Sequence, residues 1–173
     1  MKIHQQVLFT EAECNTIVNF SNSTSYNRTD GWYKNNPNIN YTDWTLSNTE
    51  SMSWVFERIL KFAQPLIEEA IKIAPSVMHL HKYNVGDGFE RHNDELSDRK
   101  YVCGLVLNTN FEGGSYIVEL EDGKVEIIKT IGNVYMFDVC RWHTVHPITR
   151  GERWSCVLFI QNRNLSYKAK SLI

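Results

Sequence analysis

Val77-Met78-His79-Leu80-His81-Lys82-Tyr83-Asn84-Val85-Gly86-Asp87-Gly88-Phe89-Glu90-Arg91-His92-Asn93-Asp94 is the stretch where the pattern of the chain turns from helical to extended. Two short β-rich runs, 78–84 and 88–93, flank the turn signal Gly86-Asp87-Gly88. Further runs follow at 101–107, 115–120, 124–129, 133–138, 143–146 and 153–161. Gly113-Gly114, Asp122-Gly123, Gly132-Asn133 and Gly151 divide them. Glycine between apolar runs reads as strand punctuation, because tight reversals need backbone angles that other residues resist. About eight short strands with such turns predict a mainly β protein with a jelly-roll core and N-terminal helices packed on a sheet face.

Working upstream, Phe9-Thr10-Glu11-Ala12-Glu13 predicts a helix start, with Thr10 as cap and Glu13 three residues on completing a capping box. Cys14, Ile17, Val18 and Phe20 supply its apolar face. Residues 21–48 are polar and rich in Asn, Ser and Thr, yet carry Tyr26, Trp32, Tyr33, Tyr41 and Trp44. They read as one long irregular loop, either a lid or binding loop, or a surface loop anchored by its aromatics. Residues 50–74 regain a helical period through Trp54, Ile59, Leu60, Phe62, Ala63, Leu66, Ile67 and Ala70. Pro65 inside that pattern is set to kink the helix or divide it. The expected organisation is one domain over 1–173, with helical and loop support in 1–76 and a β core in 77–162.

The chain has 173 residues, enough to bury a sizeable core. Hydrophobic residues make up 42% and charged residues 22%, as in an ordinary soluble protein. Eighteen Lys and Arg against twenty Asp and Glu give a formal charge of -2, with no dense basic run. No nucleic-acid partner is expected on that balance. No stretch of about 18 apolar residues exists to span a membrane, and Met1 to Gln6 lack the apolar core of a signal peptide. A cytoplasmic location is therefore expected. Cys14, Cys103, Cys140 and Cys156 form no Cys-x-x-Cys pair and are expected to be free, small, buried side chains. Nothing in the sequence specifies an oligomeric state.

The chemistry starts from His92 and Asp94. Residues two apart on a strand point to one face, so both can reach a single ion. A third ligand must come from elsewhere, and His143 and His146 are the candidates. They are three apart, so a regular strand turns them to opposite faces and only one can serve. Two histidines and one carboxylate on one face of an octahedron leave three open positions, which suits non-haem iron(II). The same donors also suit zinc with a bound water and hydrolysis. Arg153 tilts the choice. It opens the last run just past Gly151-Glu152, where its guanidinium can grip a carboxylate in bidentate fashion. The far carboxylate of 2-oxoglutarate is a natural guest, and a zinc hydrolase has no general need for such a group. Ser155, two residues on, either adds a hydroxyl there or caps a local backbone group.

These blocks resemble the prolyl-hydroxylase-like branch of the 2-oxoglutarate/iron(II) oxygenases. The likeness runs from Tyr83 through His92-Asn93-Asp94, then Leu107-Asn108 and Phe111-Glu112-Gly113-Gly114, and ends with His143-Thr144-Val145-His146-Pro147-Ile148-Thr149-Arg150-Gly151-Glu152-Arg153. It covers roughly residues 77–162. The resemblance implies a double-stranded β-helix with His92, Asp94 and His143 on iron(II), and Arg153 on the far carboxylate of 2-oxoglutarate. It selects His143 over His146, because the family's His-x-Val-x-Pro-x-Thr-x-Gly-x-Arg pattern begins there, and it gives Tyr83 a hydroxyl contact with the co-substrate. It also implies dioxygen as oxidant, ascorbate in a supporting role, and hydroxylation of an unactivated C–H with release of succinate and CO2. The implied substrate is of amino-acid type: a peptide, a protein side chain or a small metabolite. Many prolyl hydroxylases carry Lys where this chain has Arg153, which loosens any tie to proline. Asp94 argues against halogenation, since a halide takes the carboxylate's place on iron; desaturation and cyclisation stay open.

The competing class is a metal-binding jelly roll without oxygenase activity, either a cupin-like zinc hydrolase or a binding module. Other residues have plainer readings. His79 and His81 share a strand face and read as barrel lining or hydrogen-bonded groups, with a second metal site as the alternative. Gly113-Gly114 reads as a turn, since it lacks the longer glycine pattern and following helix of a phosphate loop. Arg141-Trp142 reads as either the pocket mouth or an exposed hairpin.

Overall fold

Strands covered on both faces read as near-continuous apolar runs, and residues 133–138 and 153–161 have that character. In the computed structural model, which describes residues 2–23, 39–47, 51–67, 77–95 and 99–161, both runs lie inside a six-stranded antiparallel sheet. The elements in chain order are β1 (His4–Val7), α1 (Glu11–Ser23), β2 (Ile39–Asn40), β3 (Thr42–Ser47), α2 (Ser53–Ala63), β4 (Val77–Tyr83), β5 (Gly88–His92), β6 (Arg99–Val106), β7 (Glu112–Gly113), β8 (Tyr116–Leu120), β9 (Gly123–Glu126), β10 (Asn133–Asp138), β11 (His143–Val145), β12 (Ile148–Arg150) and β13 (Arg153–Gln161). The larger sheet has the order β1-β10-β6-β13-β4-β3, the smaller β2-β5-β11-β8-β9, and β12 pairs with β7. This is the double-stranded β-helix, with helices on its N-terminal side.

Alternation along the larger sheet makes two separate cores. Met78, Leu80, Leu105, Met136, Leu158 and Ile160 face outward and pack with Ile17 of α1 and Val55, Phe56 and Ile59 of α2. Tyr83, Val102, Val106, Tyr135 and Phe137 face inward and meet Tyr116, Val118 and Val145 from the smaller sheet. Gly104 sits opposite Tyr135 across the β6–β10 pair. A side chain at position 104 would collide with the Tyr135 ring, so glycine gives that buried aromatic its room.

The predicted helix start is present. The Thr10 N–H donates to Glu13 Oε2 at 2.8 Å, and the Glu13 N–H donates back to Thr10 Oγ1 at 3.3 Å. Arg58 of α2 bonds Glu13 Oε1 at 2.8 Å and ties the two helices together.

Several expectations need correction. The helix predicted over 50–74 ends at Ala63, followed by a 3-10 turn over Gln64–Leu66 and an extended Ile67. Pro65 has no N–H to give, and its ring clashes with a carbonyl one turn back, so the α-helix stops there. Residues 68–76, including Ala70, lie outside the described residues. The irregular loop expected over 21–48 contains β2 and β3 instead. β3 escaped notice because its inward residue is the charged Asp43, while Trp44 faces out and stacks on Trp154 at 5.3 Å between ring centroids. Tyr26, Trp32 and Tyr33 lie outside the described residues. β1, β7 and β12 were also not foreseen; each is four residues or fewer, too short for a periodicity to show. Of the cysteines, Cys14, Cys103 and Cys156 are buried as expected, but Cys140 is exposed. Among the described residues no helix is long and apolar enough to cross a membrane.

Candidate metal centre

β5 and β11 are neighbours in the smaller sheet, and their register places His143 directly opposite His92. A register shift between His143 and Val145 bends the pairing beside them, as bulges near sites do. The Thr144 hydroxyl donates to the Phe89 carbonyl at 2.9 Å and holds the two strands together there. β5 stops at His92, so the strand alternation invoked for Asp94 does not reach it. Asp94 is instead placed by its own N–H, which donates to the Val139 carbonyl at 3.0 Å.

The three side chains converge. His143 Nε2 lies 3.3 Å from Asp94 Oδ2, and His92 Nε2 lies 4.0 Å from Asp94 Oδ1. One ligand atom from each falls within 4.8 Å of the others. The orientation of the two rings is decisive. His92 Nδ1 donates to the Glu90 carbonyl at 2.7 Å, and His143 Nδ1 donates to the Arg141 carbonyl at 2.9 Å. A carbonyl can only accept, so each Nδ1 carries a proton and each Nε2 is turned toward the carboxylate. With the Asp94 carboxylate they turn three potential donor atoms toward one spot, an arrangement that one cation can take up. Backbone orientation of ligating histidines through the second nitrogen is how metal sites are built, so this donor set fits a divalent ion. Burial, then the neighbouring His143, holds the His92 pKa down and its ring neutral. For Asp94 burial works to raise the pKa, but His143 and His92 outweigh it and keep the carboxyl ionised. His92 also stacks on Phe89 at 3.6 Å between centroids. His146 is exposed and stands outside the cluster; its N–H donates to the Ser115 carbonyl.

Arg153 opens β13 and is 6% exposed. A buried guanidinium is costly without an anion, yet among the described residues no carboxylate pairs with it. It donates to Ser155 Oγ at 3.0 Å, so Ser155 lies on the same face as the guanidinium. Tyr83 is its cross-strand partner, and the guanidinium carbon lies 5.0 Å from the Tyr83 ring centre. Burial pushes the Tyr83 phenol well up against the opposing pull of Arg153, so it remains a neutral donor. Tyr116 spans the two parts. Its ring lies 5.8 Å from the Arg153 guanidinium and 5.5 Å from the His143 ring. Tyr116 thus joins a three-ligand centre to a buried cation.

Further along the same inner face stand Asp43, His79 and His81. Asp43 and His81 are cross-strand partners in the β3–β4 pair, and His81 is opposite Ser155 in the β4–β13 pair. Burial drives the His81 pKa down to about 3, against the attraction of Asp43. Sequence reading missed Asp43 because its strand was hidden, and missed Tyr116 because a lone tyrosine on a strand carries no functional signature. Arg141 serves the site through its backbone carbonyl, while Trp142 is exposed beneath the Arg91 guanidinium at 4.2 Å. Gly113 and Gly114 both have positive φ, in keeping with a turn.

Residues 78–161 match the sequence model of the 2OG-Fe(II) oxygenase superfamily. A PKHD-type hydroxylase from Synechococcus sp. (strain CC9902) is 30% identical over 95 residues, covering 51% of this chain and 43% of the relative. The chain spans less than half the length of the curated relatives it matches. A prolyl-4-hydroxylase from Pseudomonas putida superposes with a TM-score of 0.69 at 18% identity, over 93% of this chain and 92% of that one. A prolyl hydroxylase from Trichoplax adhaerens, in complex with a hypoxia inducible factor oxygen degradation domain peptide fragment, gives 0.74 at 16% identity, over 94% and 84%.

Proposed function

We propose, from the match of residues 78–161 to the sequence model of the 2OG-Fe(II) oxygenase superfamily, that this chain belongs to that superfamily and hydroxylates an unactivated C–H of an amino-acid-type substrate. His92, Asp94 and His143 would hold iron(II), and Arg153 would anchor 2-oxoglutarate. The observation that carries the reading is Arg153: a buried guanidinium, unpaired with any carboxylate among the described residues, joined by one tyrosine ring to a His-Asp-His cluster.

Bound iron(II), with 2-oxoglutarate and dioxygen, would supply the oxidising power, at the cost of 2-oxoglutarate going to succinate and CO2. The chain's share is placement. The Glu90 and Arg141 carbonyls fix both imidazoles with Nε2 inward. Asp94 stays ionised and offsets the charge of the ion. Arg153 would hold the far carboxylate of the co-substrate, with its guanidinium oriented by its hydrogen bond to Ser155 Oγ. Tyr83 keeps its proton and can donate to the same carboxylate. Tyr116, Tyr135 and Phe137 line the interior and keep water from it.

The relatives suggest the substrate class. Prolyl hydroxylases, one of them bound to a peptide fragment, share this fold, so a peptidyl or protein substrate is the preferred reading and a small metabolite the other. Unpaired cysteines accord with a reducing, cytoplasmic setting. Anaerobic titration with iron(II) and then 2-oxoglutarate tests the proposal. The expected result is a weak visible charge-transfer band that appears only when both are present. Iron binding with no band and no 2-oxoglutarate affinity would sink the oxygenase reading and favour a hydrolase or binding module, with zinc the next ion to try.

A further inference from the structure

We propose that Asp43, His79 and His81 form a second divalent-metal site, on the inner face of the larger sheet next to the Tyr83–Arg153 pair. The proposal is independent of the oxygenase reading.

The first support is geometry. His79 Nδ1 lies 3.1 Å from Asp43 Oδ2, and His81 Nε2 lies 3.7 Å from Asp43 Oδ1. The corresponding separations around Asp94 are 3.3 and 4.0 Å. Both clusters bring two imidazole nitrogens and a carboxylate within 4.8 Å of one another. The same donor set at the same spacing therefore occurs twice inside one barrel.

The second support is an unsatisfied charge. Asp43 is 2% exposed, and its Oδ1 has no hydrogen-bond partner among the described residues. A buried carboxylate oxygen left unpaired is costly and rare. His79 Nδ1 lies against Oδ2, and Oδ1 is aimed toward His81 at 3.7 Å, too long for a hydrogen bond but suited to two ligands of one ion.

The third support is rigidity. Asp43 and His81 are register partners on paired strands, and His79 is two residues along the same face, so the backbone already holds the donors together. Tyr41 packs on the His81 ring at 4.4 Å and restrains its orientation. Two imidazoles with one carboxylate select a zinc-, cobalt- or iron-like ion; magnesium and calcium prefer all-oxygen cages.

The test uses the full chain, stripped with a chelator, exposed to excess Zn(II), freed of unbound metal and analysed for metal content. Two ions per chain are expected in the unaltered protein. Asp43→Asn and His81→Gln should each leave one, as should His143→Ala, and combining His81→Gln with His143→Ala should leave none. If Asp43→Asn does not fold, His79→Gln, at a partly exposed ring, carries the same expectation. A single ion lost in His143→Ala and indifferent to His81→Gln overturns the proposal. So do two ions that both survive Asp43→Asn and His81→Gln. Retention of two ions in His143→Ala with loss of one in His81→Gln would keep this site and reject the Asp94 centre, so the two assignments fail separately.

Discussion

The two faces of the larger sheet are built from alternate residues of the same strands and do opposite work. Outward, Met78, Leu80, Leu105, Met136 and Leu158 meet α1 and α2 in an apolar contact with almost no exposure. Inward, the neighbouring positions are His79, His81, Tyr83, Arg153 and Ser155, and several of them are buried charges or hydrogen-bonding groups. Burying such groups costs free energy. Burying apolar area supplies it, at roughly 25 cal/mol per Å². A one-sided sheet lined with these polar groups would have little to hold it. The helices offset that cost by covering an apolar outer side on β4, β6, β10 and β13.

That division can be broken from either side. The largest effect is expected inside: His143→Ala should remove bound iron and all turnover while leaving thermal unfolding of the metal-free chain nearly unchanged. Full iron content in that variant would mean the inner face is not organised around this histidine. On the outer face Leu158 is fully buried, and Leu158→Ala should cost about 2–5 kcal/mol in urea unfolding from lost transfer and cavity terms. Metal content per folded chain should not change; if it did, the faces would not be separable. Arg153→Ala should weaken 2-oxoglutarate binding by about 1.5–3 kcal/mol, the worth of a charge-assisted pair. Isothermal titration would measure this, and an unaltered affinity would return Arg153 to a structural role.

The smallest effect is a slope. His81 stays neutral in the folded chain because burial depresses its pKa from 6.5 to about 3. The unfolded chain therefore takes up a proton near pH 6.5 that the folded chain refuses until about pH 3. This contribution to stability is fully present above pH 6.5 and is lost progressively as pH falls across that window. Denaturant melts of the metal-free protein from neutral to acid pH should show the decline, and His81→Gln should flatten it. An equal slope in both proteins would show that another group controls the acid limit.

The β core was legible because its strands announce themselves in two ways: alternation where one face is polar, and continuous apolar runs where both are covered. The runs at 133–138 and 153–161 match β10 and β13 at both ends. The metal centre was legible in part. His92 and Asp94 are two residues apart and His143 heads a recognisable block, so the grouping can be named, but strand alternation does not place Asp94, because β5 ends at His92. A hydrogen bond to Val139, a long-range contact no local pattern records, places it. β3 was illegible for a related reason. Its inward residue is Asp43, and a strand whose buried position is charged looks like a loop to any reading based on apolar period. Tyr116 matters only through its distances to Arg153 and His143, and distance is what a linear sequence withholds.

The pairing of His92 with His143 has a thermodynamic consequence. These residues belong to strands far apart in the chain, joined edge to edge in the smaller sheet. An ion held by both exists only in the folded state, so it acts as a reversible clasp whose strength is set by supply. Linkage then makes the melting temperature a function of free metal, rising with each increment of ion above the dissociation constant and falling under chelation. Scarcity of the ion would thus reduce how long the chain survives proteases, in addition to how fast it works.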